Sequence, residues 1–449
     1  MAELATAPQR ANHTPSRRER RQRRAWIVAL AILAVLILAW LVAFAPIGYA
    51  NIAPPGWHNV TVHGNNSTLS YAVSSDTPGL MLACGEASTA PLFLQSDTGA
   101  PHLWRSRDGG QHWETLRPPA TQPDCRLAVP HGTAGTFYLT YQDFRLTPVP
   151  EAIYITRDAG TTWQRLTSIS SAPATVDQAF NTLAAATFRD GRLYSLQPPL
   201  RPDLTPAHTF VVSADDGATW KPTEAAPSAF ERRGWNVVSY APAYNVPHAW
   251  FRALEHQGDA PLLERSNDDG QTWGAINFIG SAAANEVTLA TSPARPRTIC
   301  AGNAQVTLLA SDDGGGTWRT GAPPRDYSDT QGFNPAPPLV GADGSCYLAY
   351  EYTPIISALD PRADQYNGAA AIFRLAPGAT TARLVSWASS YDLDFTLHSG
   401  AAFAYVPADN GTSARLVLTA FNYSGSPPSF LALLGGETYD NLLIWTTEP

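Results

Sequence analysis

The sequence predicts an all-β fold of repeated hairpins set behind one apolar helix. Three observations carry this. An eight-residue motif recurs five times at near-constant spacing. The 449 residues include 38 Pro and 33 Gly, and helix-former content is low beyond residue 50, which points to short strands joined by turns. One uncharged, apolar run of 21 residues, 25–45, lies near the N-terminus. The length suits a repeat array folded as one unit.

The chain opens with a basic tail, residues 1–24. Arg10, Arg17, Arg18, Arg20, Arg21, Arg23 and Arg24 stand there against Glu3 and Glu19, a net +5. The whole chain carries −8, so residues 25–449 carry −13. An acidic body argues against nucleic-acid binding, which needs a basic face for phosphates. Lys221 is the only lysine, and this reads as the compositional bias of a bacterial genome.

Residues 25–45 (AWIVALAILAVLILAWLVAFA) would reach about 31 Å as a helix, close to the hydrocarbon thickness of a bilayer. Trp26 and Trp40 flank the run as interfacial rings do. With RRERRQRR just before it, the positive-inside rule places the N-terminus in the cytoplasm and everything after Pro46 outside. The expectation is a single-pass cell-membrane protein that contacts the membrane through 25–45. The competing reading is a cleaved signal peptide with Ala43-Phe44-Ala45 as the cut site. Residues 46–56 form a Pro-containing linker, and 57–449 form the extracytoplasmic body.

The repeated motif is Ser/Thr-x-Asp-x-Gly-x-x-Trp. Its copies are Ser106, Asp108, Gly110, Trp113; Thr156, Asp158, Gly160, Trp163; Ser213, Asp215, Gly217, Trp220; Ser266, Asp268, Gly270, Trp273; and Ser311, Asp313, Gly315, Trp318. Start-to-start spacings are 50, 57, 53 and 45 residues, a repeat-array period. Short apolar stretches flank each copy, which is the context of a hairpin turn. The Asp carboxylate can accept backbone N–H groups in the loop, and the hydroxyl adds a second local bond. The Gly can take positive φ, and the Trp starts the next strand with its ring over the turn.

These hairpins resemble Asp-box, or bacterial neuraminidase, repeats, which occur in sialidases, sortilin-type receptors, some glycoside hydrolases and photosystem assembly factors. The resemblance implies a β-propeller in which each box joins the third and fourth strands of a blade. IFRLAPGATTARLVSW (372–387) and FLALLGGETYDNLLIW (430–445) repeat the strand–turn–strand rhythm, turning at Pro377-Gly378 and Gly435-Gly436. With the five boxes these give seven blades, six being the alternative if the last segment merely closes the ring. WHNVTV (57–62) is the closing strand or an extra edge strand.

Cys84, Cys125, Cys300 and Cys346 allow three pairings. Cys84 with Cys125 and Cys300 with Cys346 would each link adjacent blades, and four buried thiols are the other reading. Asn59, Asn65, Asn66, Asn410 and Asn422 head Asn-x-Ser/Thr sequons.

The resemblance raises sialidase chemistry, which needs an arginine cluster for the substrate carboxylate, a Tyr nucleophile with a Glu partner, and an acid/base. The Arg-Ile-Pro motif of that pattern is absent. Two stretches offer other acids. Residues 350–366 contain Glu351, Tyr352, Asp360, Arg362, Asp364 and Tyr366, and FERRGW (230–235) contains Glu231, Arg232 and Arg233. Solvated polar loops are the plainer reading of both. No His spacing suits a metal and no phosphate-cradling loop opens a helix, so neither metal nor cofactor is expected. The function expected is a non-catalytic module that binds a glycan or protein ligand at the propeller face. A sialidase-like glycoside hydrolase acting on extracellular glycans is the alternative. A sortilin-like receptor would carry its propeller before the membrane helix.

Overall fold

The computed structural model describes residues 26–28, 30–33, 58–59, 66–74, 76–87, 100–120, 124–143, 147–166, 176–197, 209–223, 227–279, 287–303, 307–321, 337–352, 369–389, 403–406, 408, 414–423 and 439–447. The chain divides into two compact units, Met1–Ile52 and Ala53–Pro449. In the first unit the described residues are helical, and Trp26, Ile27, Val28, Leu30, Ile32 and Leu33 are exposed. No helix among the described residues is long and apolar enough to cross a membrane. The basic tail, most of the 25–45 run and the 46–56 linker lie outside the described residues.

The second unit is a β-propeller. Its described strands form seven four-stranded antiparallel sheets. Sheet 1 holds β2 (Asn66–Val73), β3 (Met81–Ala87), β4 (Ala100–Ser106) and β5 (Glu114–Leu116). Sheet 2 holds β6 (Asp124–Ala128), β7 (Phe137–Asp143), β8 (Thr147–Thr156) and β9 (Gln164–Arg165). Sheet 3 holds β10 (Thr187–Arg189), β11 (Arg192–Gln197), β12 (Thr209–Ser213) and β13 (Lys221–Pro222). Sheet 4 holds β14 (Asn236–Pro242), β15 (Trp250–Glu255), β16 (Leu262–Ser266) and β17 (Gly274–Phe278). Sheet 5 holds β18 (Thr288–Ser292), β19 (Arg295–Gly302), β20 (Leu308–Ser311) and β21 (Arg319–Gly321). Sheet 6 holds β22 (Leu339–Val340), β23 (Cys346–Tyr352), β24 (Ala369–Leu375) and β25 (Arg383–Ser389).

Sheet 7 is assembled from both ends of the unit. It holds β26 (Phe403–Val406), β27 (Arg415–Tyr423), β28 (Tyr439–Thr447) and, as its fourth strand, β1 (His58–Asn59). His58 pairs with Trp445 and Asn59 with Ile444, so the start of WHNVTV closes the ring. The expected hairpin over 430–445 is corrected here. Its second half is β28, but the partner is β27, in register from Arg415↔Thr447 to Tyr423↔Tyr439. Residues 430–438, with Gly435-Gly436, lie outside the described residues. The turn at Pro377-Gly378 does link β24 to β25, with Gly378 at φ 73°.

Apolar side chains pack between neighbouring sheets of the ring. Leu82, Leu103, Leu127, Phe137 and Leu139 fill the space between sheets 1 and 2. Ala253, Leu263, Leu289, Ile299 and Leu309 do so between sheets 4 and 5. Val406 and Val417 meet Tyr71, Met81 and Trp104 between sheets 7 and 1, which seals the circle. One helix, α1 (Val176–Ala184), departs from the all-β expectation. It lies in the connection from sheet 2 to sheet 3. Ala179 and Phe180, each about one helical turn before Leu183, are buried with it and with Ile153, Ile155 and Leu193 of those sheets.

Candidate functional site

Alternating strand direction sorts the connections to two ends of the ring. The first-to-second and third-to-fourth hairpins share one end, here the hairpin end. The second-to-third loops and the sheet-to-sheet crossovers share the other, the connection end.

All five Ser/Thr-x-Asp-x-Gly-x-x-Trp loops lie at the hairpin end, between the third and fourth strands of sheets 1–5. In the loop of sheet 2, Thr156 Oγ1 accepts the Gly160 N–H (2.9 Å) and donates to Asp158 Oδ1 (2.7 Å). Asp158 accepts the Thr162 N–H at Oδ1 (2.8 Å) and the Thr162 hydroxyl at Oδ2 (2.6 Å). The Trp163 indole donates to the Gly160 carbonyl (3.1 Å). Ser213–Asp215–Thr219, Ser266–Asp268–Thr272 and Ser311–Asp313–Thr317 repeat the hydroxyl–carboxylate pattern. In the first loop His112 replaces the second Thr: its N–H reaches Asp108 Oδ1 (3.0 Å) and its Nδ1 lies 2.6 Å from Oδ2. These bonds favour the charged carboxylate. For Asp158 burial opposes ionisation, but the bonds from Thr162 and Thr156 outweigh it and hold the acid at about 2. Asp313 is held at about 2, chiefly by the Thr317 N–H.

The loops of sheets 2–5 are also latched to the preceding sheet. Arg105 Nη1 donates to the Ala159 carbonyl (2.9 Å) and Thr161 Oγ1 (2.9 Å). Tyr138 donates to the Asp216 carbonyl (3.0 Å), Thr223 to that of Gly270 (3.0 Å), and Asn277 to that of Gly316 (3.3 Å). Arg319 continues the pattern onto the Ala379 carbonyl (2.7 Å) of the boxless turn in sheet 6. The motif residues are therefore engaged in shaping and fastening the hairpins.

The connection end presents different chemistry. Glu231, Arg232 and Arg233 form a 3-10 turn in the crossover from sheet 3 to sheet 4, closed by Gly234 at φ 87°. Arg232 and Arg233 are exposed, while the Glu231 side chain turns inward and is only 7% exposed. There it meets Arg252 of β15 and Glu264 of β16. Arg252 Nη2 donates to Glu231 Oε2 (2.7 Å) and to Glu264 Oε2 (2.7 Å), and Arg252 Nε adds a bond to Glu264 Oε2 (2.9 Å). The Arg252 side chain is fully buried, Glu264 is 2% exposed, and the Trp273 ring lies 4.2 Å from the guanidinium. The Glu231 carboxylate also accepts the Ser228 N–H (2.7 Å). Two carboxylates thus lie close together, but a shared arginine separates them and solvent scarcely reaches them. The shared guanidinium holds both carboxylates by direct hydrogen bonds, which engages them in the fold.

Sequence reasoning singled out Glu231 and missed Arg252 and Glu264. The available signal was a charge inside each apolar strand, WFRALE and LLERS, at positions that pair across the ladder. Glu351 and Tyr352 end β23 at the connection end. Asp360 and Asp364 lie outside the described residues, as do Arg362 and Tyr366. Among the described residues no group of three or more His, Cys, Asp or Glu could hold a metal. Cys84 of β3 is bonded to Cys125 of β6, joining sheets 1 and 2 (Cα–Cα 6.2 Å). Cys300 of β19 is bonded to Cys346 of β23, joining sheets 5 and 6 (Cα–Cα 5.6 Å).

No protein-family model matches the chain, and no curated protein matches it. Similar solved structures include YCF48 bound to D1 peptide, at 10% identity and TM-score 0.43, covering 89% of this chain and 99% of that one. YCF48 from Cyanidioschyzon merolae is 12% identical with TM-score 0.45, covering 87% and 98%. The GH74 xyloglucanase from Xanthomonas campestris is 14% identical with TM-score 0.38, covering 84% of this chain and 60% of that enzyme.

Proposed function

We propose that this chain is a membrane-anchored, extracytoplasmic, seven-bladed Asp-box propeller that binds a protein or glycan ligand without catalysing a reaction on it. The observation that carries this reading is where the described acids go. The motif aspartates hold their own loops, and Glu231 and Glu264 are clamped by buried Arg252. The seven four-stranded sheets support the blade count, and the repeated hydroxyl–carboxylate–indole loops support the Asp-box reading. Two inter-sheet disulfides suit an oxidising compartment, in agreement with the topology read from the arginine-rich tail and the apolar run. A rigid ring with long connections at one end offers a binding face by loop variation.

Two measurements test the proposal. After carbonate washing the full-length chain should remain with the membranes, and release into the soluble fraction would refute the anchor. Incubated with sialylated and β-linked glycans, the purified chain should release no sugar above a blank. Turnover that disappears in Glu351→Gln or Asp360→Asn would replace the binding reading with a hydrolase.

A further inference from the structure

We propose that the corner of sheet 4 at the connection end is a docking site for an extended acidic peptide segment of a partner protein, gripped by Arg232, Arg233 and Phe278. The proposal rests on the binding reading above and names the class of ligand.

In the second unit, the large apolar side chains exposed among the described residues are Ile276 (37%) and Phe278 (50%), both on β17. All five residues of β17 are exposed, and the strand carries neither charge nor Pro, the usual protections of an outer strand. Ile276 leans towards Gly315 of sheet 5. Phe278 instead belongs to an aromatic cluster at the corner. Its ring lies 6.1 Å from Trp235, which stacks on His256 (5.5 Å) and meets Phe230 edge-on (5.6 Å). Arg233 lies over the Phe230 ring at 5.7 Å. The Phe278 N–H is already taken by Asn277 Oδ1 (2.9 Å), and the Phe278 side chain is what the corner presents.

Arg232 and Arg233 are exposed, and among the described residues neither forms an ion pair; the Arg232 guanidinium donates to the Pro227 carbonyl. Their sequence neighbour Glu231 is held inward by Arg252, so the turn sends its acid into the core and both arginines outward. Of the described acids near the corner, Asp259 is bonded to His256 (2.8 Å) and Glu255 accepts the Val287 N–H (2.5 Å). Two arginines without an ion pair among the described residues, beside exposed aromatic surface, are a local exception on a body that carries −13. Its complement is negative. Arginine and aromatic residues dominate binding hot spots, and a guanidinium pairs with a carboxylate through two parallel bonds. The 3-10 turn is fastened by the Ser228–Glu231 bonds and by the buried clamp, so little ordering cost accompanies binding. An extended peptide with carboxylates on either side of an apolar side chain satisfies the arginines and covers Phe278.

The probe is a fluorescein-labelled peptide of three Glu-Phe-Asp repeats, with three Lys-Phe-Lys repeats as its charge-reversed counterpart. Fluorescence anisotropy is read against the full-length chain in detergent micelles. Saturable binding of the acidic peptide is expected, weakening as salt rises, with no binding of the basic one. R232A/R233A and Phe278→Ser should each raise Kd by about tenfold or more. R232E/R233E should lose the acidic peptide and gain the basic one, a gain that a misfolded variant would not show. Absence of saturable binding, or Kd values unchanged in these variants, overturns the docking site. Glycan turnover by the wild-type chain would overturn the non-catalytic reading instead, and would leave the peptide result standing.

Discussion

Replacing Arg252 with Ala tests whether the buried charge cluster fastens the crossover from sheet 3 onto sheet 4. The substitution removes the guanidinium that both Glu231 and Glu264 use, and leaves their carboxylates 7% and 2% exposed without a cation. Breaking a buried pair in this way costs about 3–5 kcal/mol. Loss of the 4.2 Å contact with the Trp273 ring adds about 1 kcal/mol. Urea unfolding of the full-length chain, followed by tryptophan fluorescence, should therefore show a loss of about 4 kcal/mol or more. The combination of Arg252→Met, Glu264→Leu and Glu231→Gln removes every charge of this cluster and should return to within about 2 kcal/mol of wild type. Glu231→Gln keeps the oxygen that accepts the Ser228 N–H. A single-variant loss below about 1 kcal/mol would mean the carboxylates are solvated, and a triple variant no better than Arg252→Ala would mean packing, not charge, sets the cost.

Other predictions follow from the loops and the cross-links. Gly270→Ala should destabilise by about 3 kcal/mol, because a Cβ there meets Phe210 Cδ1 at 2.5 Å at φ 83°, whereas Gly191→Ala, at φ 79° with nothing within 4 Å, should cost about 1 kcal/mol. Equal losses in thermal unfolding would contradict the close approach of loop to sheet. Asp158 and Asp313 are depressed to about 2 in the fold, so the stability they supply is present above about pH 4 and is lost as pH falls through about 2. The double variant Asp158→Asn/Asp313→Asn should accordingly show a shallower fall in stability over that window, and identical slopes would refute it. Reducing the two disulfides, which span 41 and 46 residues, should remove about 4 kcal/mol each in the chain-entropy account. An unchanged urea midpoint under reductant, with thiol release verified, would count against that.

The hairpins were legible in the sequence because their chemistry is local. Ser213, Asp215 and Gly217 act within eight residues, so spacing alone reveals the turn. The residue before the motif glycine was not legible in sheets 2, 3 and 4, whereas Gly109 and Gly314 occupy that place in sheets 1 and 5. Ala159, Asp216 and Asp269 sit at φ 57–58° although nothing in their identity demands it, since the surrounding bonds impose the conformation. The partner of β28 and the place of α1 depend on long-range packing, which neither Gly435-Gly436 nor the local apolar rhythm encodes. The charge clamp fell between these cases. Glu231 stood out as a charge, but its contact with Arg252 across 21 residues required the register of β15 and β16 and the fold of the crossover.

On the proposed reading the described motif acids hold their hairpins, Glu231 and Glu264 are held by Arg252, and the ring binds a ligand without cleaving it. The most direct test is sugar release from a panel of sialylated and β-linked glycans by the purified full-length chain, measured beside Glu351→Gln and Asp360→Asn. The account predicts that all three match the blank. Sugar release by the wild type that either substitution abolishes would contradict it.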